Sequence, residues 1–263
     1  MRRFETPGGV SIFCAAPDGK SHGNFATASY RAILKRPAWA ARLRKVHTAK
    51  RRGLPAHPDC GTWYELDSCM SSDALMMNIF CYPGVCARPA VAGMLGVAPG
   101  SAPEFGFRAR VPLERNLLDR TEIDMRLGDL LVEAKLTESD FQTQRAEVVR
   151  RYRDLELVFE VERLARQNGR FAAYQLIRNV LAAHASSAAF CVMADERRPD
   201  LIEMAGELFA CVRDADLRTR CKLLTWQELA PALPSGLRRF LSDHYGIRGR
   251  GLKPTLRQRG AVE

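Results

Sequence analysis

Hydrophobic and polar positions alternate through the middle of the chain and recur at helical spacing on either side of it. In residues 121–138, TEIDMRLGDLLVEAKLTE, apolar Ile123, Met125 and Leu127 alternate with Glu122, Asp124 and Arg126. Beyond Gly128 and Asp129, Val132, Ala134 and Leu136 alternate with Glu133 and Lys135. A period of two belongs to strands, and the Gly-Asp pair between the runs predicts a hairpin. Residues 105–111 alternate in the same way, and a short strand is expected near 10–13. The apolar runs at 188–194 (AAFCVMA) and 221–226 suit strands covered on both faces.

Helical spacing surrounds these strands. Residues 26–50 are helix-prone but interrupted by Pro37, after which Trp39, Leu43 and Val46 share a face. Residues 71–81 form a second helix, with Ser71 or Ser72 as N-cap and Asp73 and Asn78 as polar exceptions. Residues 93–106 read as a loop. Phe141, Val148, Tyr152, Leu155 and Phe159 trace a continuous stripe, predicting one long helix capped by Ser139 or Asp140 and broken by Gly169. Further helices are expected over 170–185, from Pro199 onward, and over 237–245. This order of elements predicts an α/β sandwich with a mixed central β-sheet flanked by helices.

Composition refines the picture. The 263 residues, 46% hydrophobic and 27% charged, suit a globular protein with a real core. No run of about 18 apolar residues occurs and no secretory signal is recognisable, so neither membrane insertion nor export is expected and a cytoplasmic protein is. The net charge is +10. Ten basic residues and no acid lie in 20–58, and a second basic excess follows Arg248. The expected division is a basic N-terminal extension, 1–58, and a folded domain, 59–263. Within the extension Arg42, Arg44, Lys45, Arg51 and Arg52 are candidates to grip a polyanion, with Tyr30 and Trp39 available for stacking. His57, Cys60, Cys69, Cys81 and Cys86 cluster without a CxxC pair, at spacings loose for a structural zinc site. His184 and His244 have no partner at catalytic spacing. No GxSxG context and no phosphate-cradling glycine loop is present.

The hairpin carries the chemistry. A phosphodiester repels an attacking hydroxide, so its hydrolysis needs charge neutralisation and an activated water. Two carboxylates about 4 Å apart repel by roughly 4 kcal/mol at an effective dielectric near 20, and a divalent cation reverses that. Hard oxygen ligands such as Asp124 and Glu133 suit magnesium or manganese, and Lys135 on the same face as Glu133 can orient water. A surface ion pair between Glu133 and Lys135 or Arg126 is the bland alternative. Glu122 is either an outer acid or a solvated edge residue, and Asp73 either an upstream acid or an N-cap.

Asp124, followed nine residues later by Glu133-Ala134-Lys135, resembles the PD-(D/E)XK signature of restriction-endonuclease-like nucleases, with Ile123 where many members have proline. SSDALMMNIF upstream and YQLIRNVLAA downstream are similar to segments of a poorly characterised bacterial branch. The resemblance covers about residues 70–230. It implies a restriction-endonuclease-like fold, with Asp124, Glu133 and the Ala134 carbonyl holding Mg or Mn, and Lys135 serving the water. It also implies that Gln175 and Arg178 contact phosphate or organise the metal's waters, a plain helix surface being the alternative, and DNA is expected as substrate ahead of RNA. Two other functions compete with a nuclease. One is a catalytically silent nucleic-acid-binding or complex-forming protein on this fold; the other uses the basic ends to dock an acidic protein. Oligomeric state is not readable from the chain.

Overall fold

The computed structural model describes residues 3–6, 9–46 and 63–249. A five-stranded sheet forms its centre: β1 (Pro103–Arg108), β2 (Glu122–Leu127), β3 (Leu130–Ala134), β4 (Ala189–Ala194) and β5 (Cys221–Thr225). The strands lie side by side in chain order. β2 runs antiparallel to β1 and β3, whereas β4 runs parallel to β3 and β5, so the sheet is mixed as expected. The β2–β3 hairpin turns at Gly128 and Asp129, with Leu127 opposite Leu130 and Gly128 at φ +59°. That left-handed conformation is open to glycine at little cost.

Helices cover both faces. Among them are α1 (Thr27–Leu34), α2 (Pro37–Arg42), α3 (Ser72–Phe80), α4 (Pro89–Leu95), α5 (Tyr174–Ala185), α6 (Pro199–Ala210) and α7 (Ser235–Tyr245). Leu176, Ile177 and Val180 of α5 and Leu201 and Ala205 of α6 pack with Leu131, Phe190 and Val192 on one face. Leu75 and Ile79 of α3, Val91 of α4 and Leu237 of α7 pack with Val132, Ala134 and Met193 on the other. Burying both faces explains the uninterrupted apolar run of β4. The architecture is that of a restriction-endonuclease-like α/β fold.

Three expectations need correction. The stripe from Phe141 to Phe159 is not one helix but two single turns, Ala146–Val149 and Leu155–Val158, set in loop. Phe141, Tyr152, Leu155 and Phe159 are nevertheless buried, so burial without helix produced the periodicity. Residues 93–106 are not all loop, because α4 runs to Leu95 and β1 starts at Pro103. Ile123 joins the first core face, whereas Met125 and Leu127 join the second. The break in alternation coincides with Gly106, at φ +68°, between the paired positions Phe105↔Met125 and Phe107↔Ile123.

The described part of the basic segment packs on the core. Phe25, Tyr30, Ile33 and Trp39 share a cluster with Ala74, Met77 and Cys81. Asn78 ties the pieces together: its Oδ1 accepts the Ala26 N–H at 2.7 Å, and its Nδ2 donates to the Asn24 and Ala74 carbonyls at 2.9 Å. Tyr30 and Trp39 are thus largely buried core residues, 4% and 8% exposed, rather than free stacking platforms.

Candidate active site

β2 and β3 pair only as far as Met125 and Val132. One residue beyond, the Asp124 side chain replaces the ladder, its Oδ2 accepting the Ala134 N–H at 2.8 Å. Asp124 is thereby set beside the last residues of β3. Lys135 follows the strand's end and is held by its backbone. Its N–H donates to the Met193 carbonyl and its own carbonyl accepts Trp226 Nε1, both at 2.8 Å.

Glu133 and Lys135 are 1% and 5% exposed. Lys135 Nζ lies 3.0 Å from Glu133 Oε1 and donates to Gln175 Oε1 at 2.9 Å. The ammonium also sits 5.2 Å from the centre of the Phe141 ring. The exposed ion pair considered above does not exist. A buried pair survives only if its remaining polar atoms are satisfied, and α5 supplies the partners. Asn179 Nδ2 donates to Glu133 Oε2 at 2.7 Å. Asn179 Oδ1 in turn accepts Arg178 Nε at 3.2 Å and Nη2 at 3.1 Å, and Nη2 also reaches the Glu122 carbonyl. Arg178 is buried, with its guanidinium turned into the fold rather than outward to a phosphate. The first turn of α5 is pinned by the loop before it: Tyr174 and Gln175 N–H donate to the Gln142 and Phe141 carbonyls at 3.0 Å. That contact sets Gln175 over Lys135.

Electrostatics mark the same spot. Burial, then the neighbouring charges of Glu133 and Asp73, hold the Asp124 carboxyl well above the usual carboxylate range, against Lys135 and the Ala134 N–H. Burial opposes the Lys135 ammonium, yet Glu133 and Asp124 outweigh it and push its pKa up to about 12.

A second charge cluster lies alongside. Asp73 is buried on α3, whose N-cap is Ser71, the Ser71 hydroxyl accepting the Ala74 N–H at 3.1 Å. Asp73 Oδ2 meets Lys45 Nζ at 2.5 Å and Arg42 Nη2 at 3.1 Å. Arg42 Nη1 bonds Glu122 Oε1 at 2.8 Å, and Lys45 also reaches Glu65 at 3.1 Å. Arg42 and Lys45 therefore neutralise the protein's own acids. Arg44 is exposed, and Arg51 and Arg52 lie outside the described residues, as do His57 and Cys60. Cys69, Cys81 and Cys86 are free thiols.

A family model described as restriction endonuclease associating with ARP matches residues 4–246. The chain belongs to that family. The match begins before α1 and ends after α7, so the basic segment up to residue 46 lies within the family's extent. No curated protein and no solved structure matches the chain. Among the described residues no helix is long and apolar enough to cross a membrane.

The fit of a divalent cation rests on the donor set. Among the described residues no three His, Cys, Asp or Glu side chains group so as to hold a metal ion. Two carboxyls, Asp124 and Glu133, lie close enough to feel each other's charge, and hard oxygens of this kind are what magnesium takes together with water. Glu133 Oε1 is buried and faces the Lys135 ammonium at 3.0 Å, the same ammonium that balances Asp124. Two carboxyls sharing one ammonium, one of them resisting ionisation, suit a further positive charge.

Sequence reasoning passed over Asn179 as a site residue. Its place four residues after Gln175, on the same helix face, was the available signal.

Proposed function

We propose that the chain is a metal-dependent nuclease of PD-(D/E)XK type, hydrolysing phosphodiester bonds in DNA. The observation that carries this reading is the convergence of Asp124, Glu133, Lys135 and Gln175 at one end of the β2–β3 hairpin, where two carboxyls share one ammonium. Membership of a restriction-endonuclease family supports it.

Asp124, Glu133 and the Ala134 carbonyl would hold Mg or Mn, which when bound neutralises phosphate charge and acidifies water. Gln175 holds the Lys135 ammonium on the site side of β3. From there Lys135 orients the attacking water and balances negative charge as it develops on the phosphate. Phe141 and the α5 face keep bulk water from Glu133, which strengthens each of these interactions.

The test is cleavage of linear and circular DNA, and of RNA, with Mg or Mn against EDTA. Wild type should cut DNA only with metal, and Asp124→Ala should lower the rate on the order of 10²–10³-fold. Lys135→Ala should match it with Mn still bound, as read by calorimetry. Metal-independent cutting, or full activity in both variants, would overturn the assignment. Metal-insensitive DNA binding by a wild type that never cuts would favour the silent nucleic-acid-binding protein.

A further inference from the structure

The cations nearest the carboxylates are already engaged, so a polyanion needs others. Helix α1 and the start of α2 supply them. Arg31, Lys35 and Arg36 are exposed, and no ion pair engages them among the described residues. Arg31 and Lys35 are one helical turn apart on one face. All three line a cleft of about 590 Å³ between α1, α2 and the stretch leading into β1. Its lining includes no Asp or Glu. Trp39 forms part of the wall, with the Arg36 guanidinium 4.0 Å from its ring centre, which keeps that cation at the cleft rather than free in solvent.

Two contacts tie the wall of the cleft to the strands that carry the proposed site. Trp39 Nε1 donates to the Pro103 carbonyl at 3.2 Å, fixing α2 to the first residue of β1, beside β2. Three residues on, Arg42 reaches Asp73 and Glu122. Helix α2 thus has Arg36 at its start, following Arg31 and Lys35 of α1, and Arg42 on the acid cluster at its end.

We infer that this cleft binds the sugar–phosphate backbone of the nucleic-acid strand whose neighbouring phosphate enters the site. The inference rests on the nuclease reading for its direction, because cations adjoining phosphate-cutting carboxylates suit a phosphate chain better than an acidic peptide. It also moves the backbone grip from Arg42 and Lys45 to Arg31, Lys35 and Arg36.

The experiment measures anisotropy of labelled single- and double-stranded DNA in EDTA, on an Asp124→Ala background that cannot cut. Adding Arg31→Ala, Lys35→Ala and Arg36→Ala together should weaken binding tenfold or more at low salt. The log–log salt slope should flatten by about 0.7–0.9 for each phosphate that is no longer neutralised. The double variant Arg31→Ala/Lys35→Ala, which leaves the Arg36–Trp39 stack in place, should show the same trend with an unchanged melting temperature. Arg213→Glu, at an exposed position near the opposite edge of the sheet, should change binding by less than twofold. Unaltered binding in the triple and double variants would overturn the inference. So would an equal loss in Arg213→Glu, or a glutamate-rich peptide that displaces DNA at matched charge concentration. DNA binding that depends on the cleft in a protein that never cuts would sink the nuclease reading and leave the cleft standing. Cutting with no dependence on the cleft would do the reverse.

Discussion

Asn179 is a single neutral side chain on which two charged ones depend. Its amide donates to Glu133 while its carbonyl receives Arg178, so it separates a buried carboxylate from a buried guanidinium and satisfies both. Removing it strands a polar atom on each, and an unsatisfied buried group costs about 1–3 kcal/mol. Asn179→Ala should lower the unfolding free energy by about that amount in urea titration. It should also cut the cleavage rate about tenfold or more, with partial recovery at raised Mn, because Glu133 loses its positioning residue but not its chemistry. Asn179→Gln should recover little of either, since the longer side chain has no room. A loss of stability with an unmoved metal dependence would make Asn179 structural only. At this scale Asp124, Glu133 and Lys135 were legible in the chain, because strand alternation exposes a charge on an apolar strand. The engagement of Arg42 and Lys45 was not. Their acids lie 31 and 80 residues from Arg42, and 28 from Lys45, so local spacing holds no trace of the pairs.

The elements divide in the same way. The β2–β3 hairpin, α3 and β4 follow from local pattern, since each has a strong period and a clear start or stop. The stretch between Phe141 and Phe159 does not, because its apolar residues are buried by contact with α5 and β4 rather than by a helix of their own. Gly106 shows what pattern reading passes over within a well-placed strand. At φ +68° it lies beneath Arg42, and a Cβ there would stand 2.2 Å from Nη1 and 3.0 Å from Glu122 Cδ. Gly106→Ala should therefore destabilise by about 1–3 kcal/mol, from backbone strain and from displacing the guanidinium. In an Arg42→Ala background the clash with the guanidinium vanishes, leaving the strain and the tight approach to Glu122. Denaturation of both singles and the double variant checks this, and strict additivity would mean that Gly106 and Arg42 do not compete for space.

Across the whole molecule, the two ends of the described fold meet at His244. Its Nε2 lies 2.7 Å from Asn24 Oδ1, and its ring stacks on Phe240 at 5.0 Å. Burial, aided by the charge of Arg3, lowers its pKa to about 4 from an ordinary 6.5. The folded state thus holds a neutral imidazole, whereas the unfolded chain takes up a proton near pH 6.5. Stability from this group is present above about pH 6.5 and is lost as pH falls toward 4, at up to about 1.4 kcal/mol per pH unit. Carboxylates titrate in the same window, so the measurement is the difference in pH slope between wild type and His244→Gln. A slope unchanged by the substitution would show that the imidazole carries no such linkage.

The sheet's strand order gives this closure a place in time. Because β1 to β5 are laid down as neighbours, a chain leaving the ribosome can add each strand to the edge of the one before it. The contact between Asn24 and His244 spans 220 residues and has to wait for α7. Until then Asn24 and Asn78, both fully buried in the finished molecule, lack Tyr245 and His244 as partners. A nascent chain stalled before α7 would therefore carry the finished Asp124–Glu133–Lys135 hairpin beneath an unsealed N-terminal segment, and that seam is where a protease would find it first.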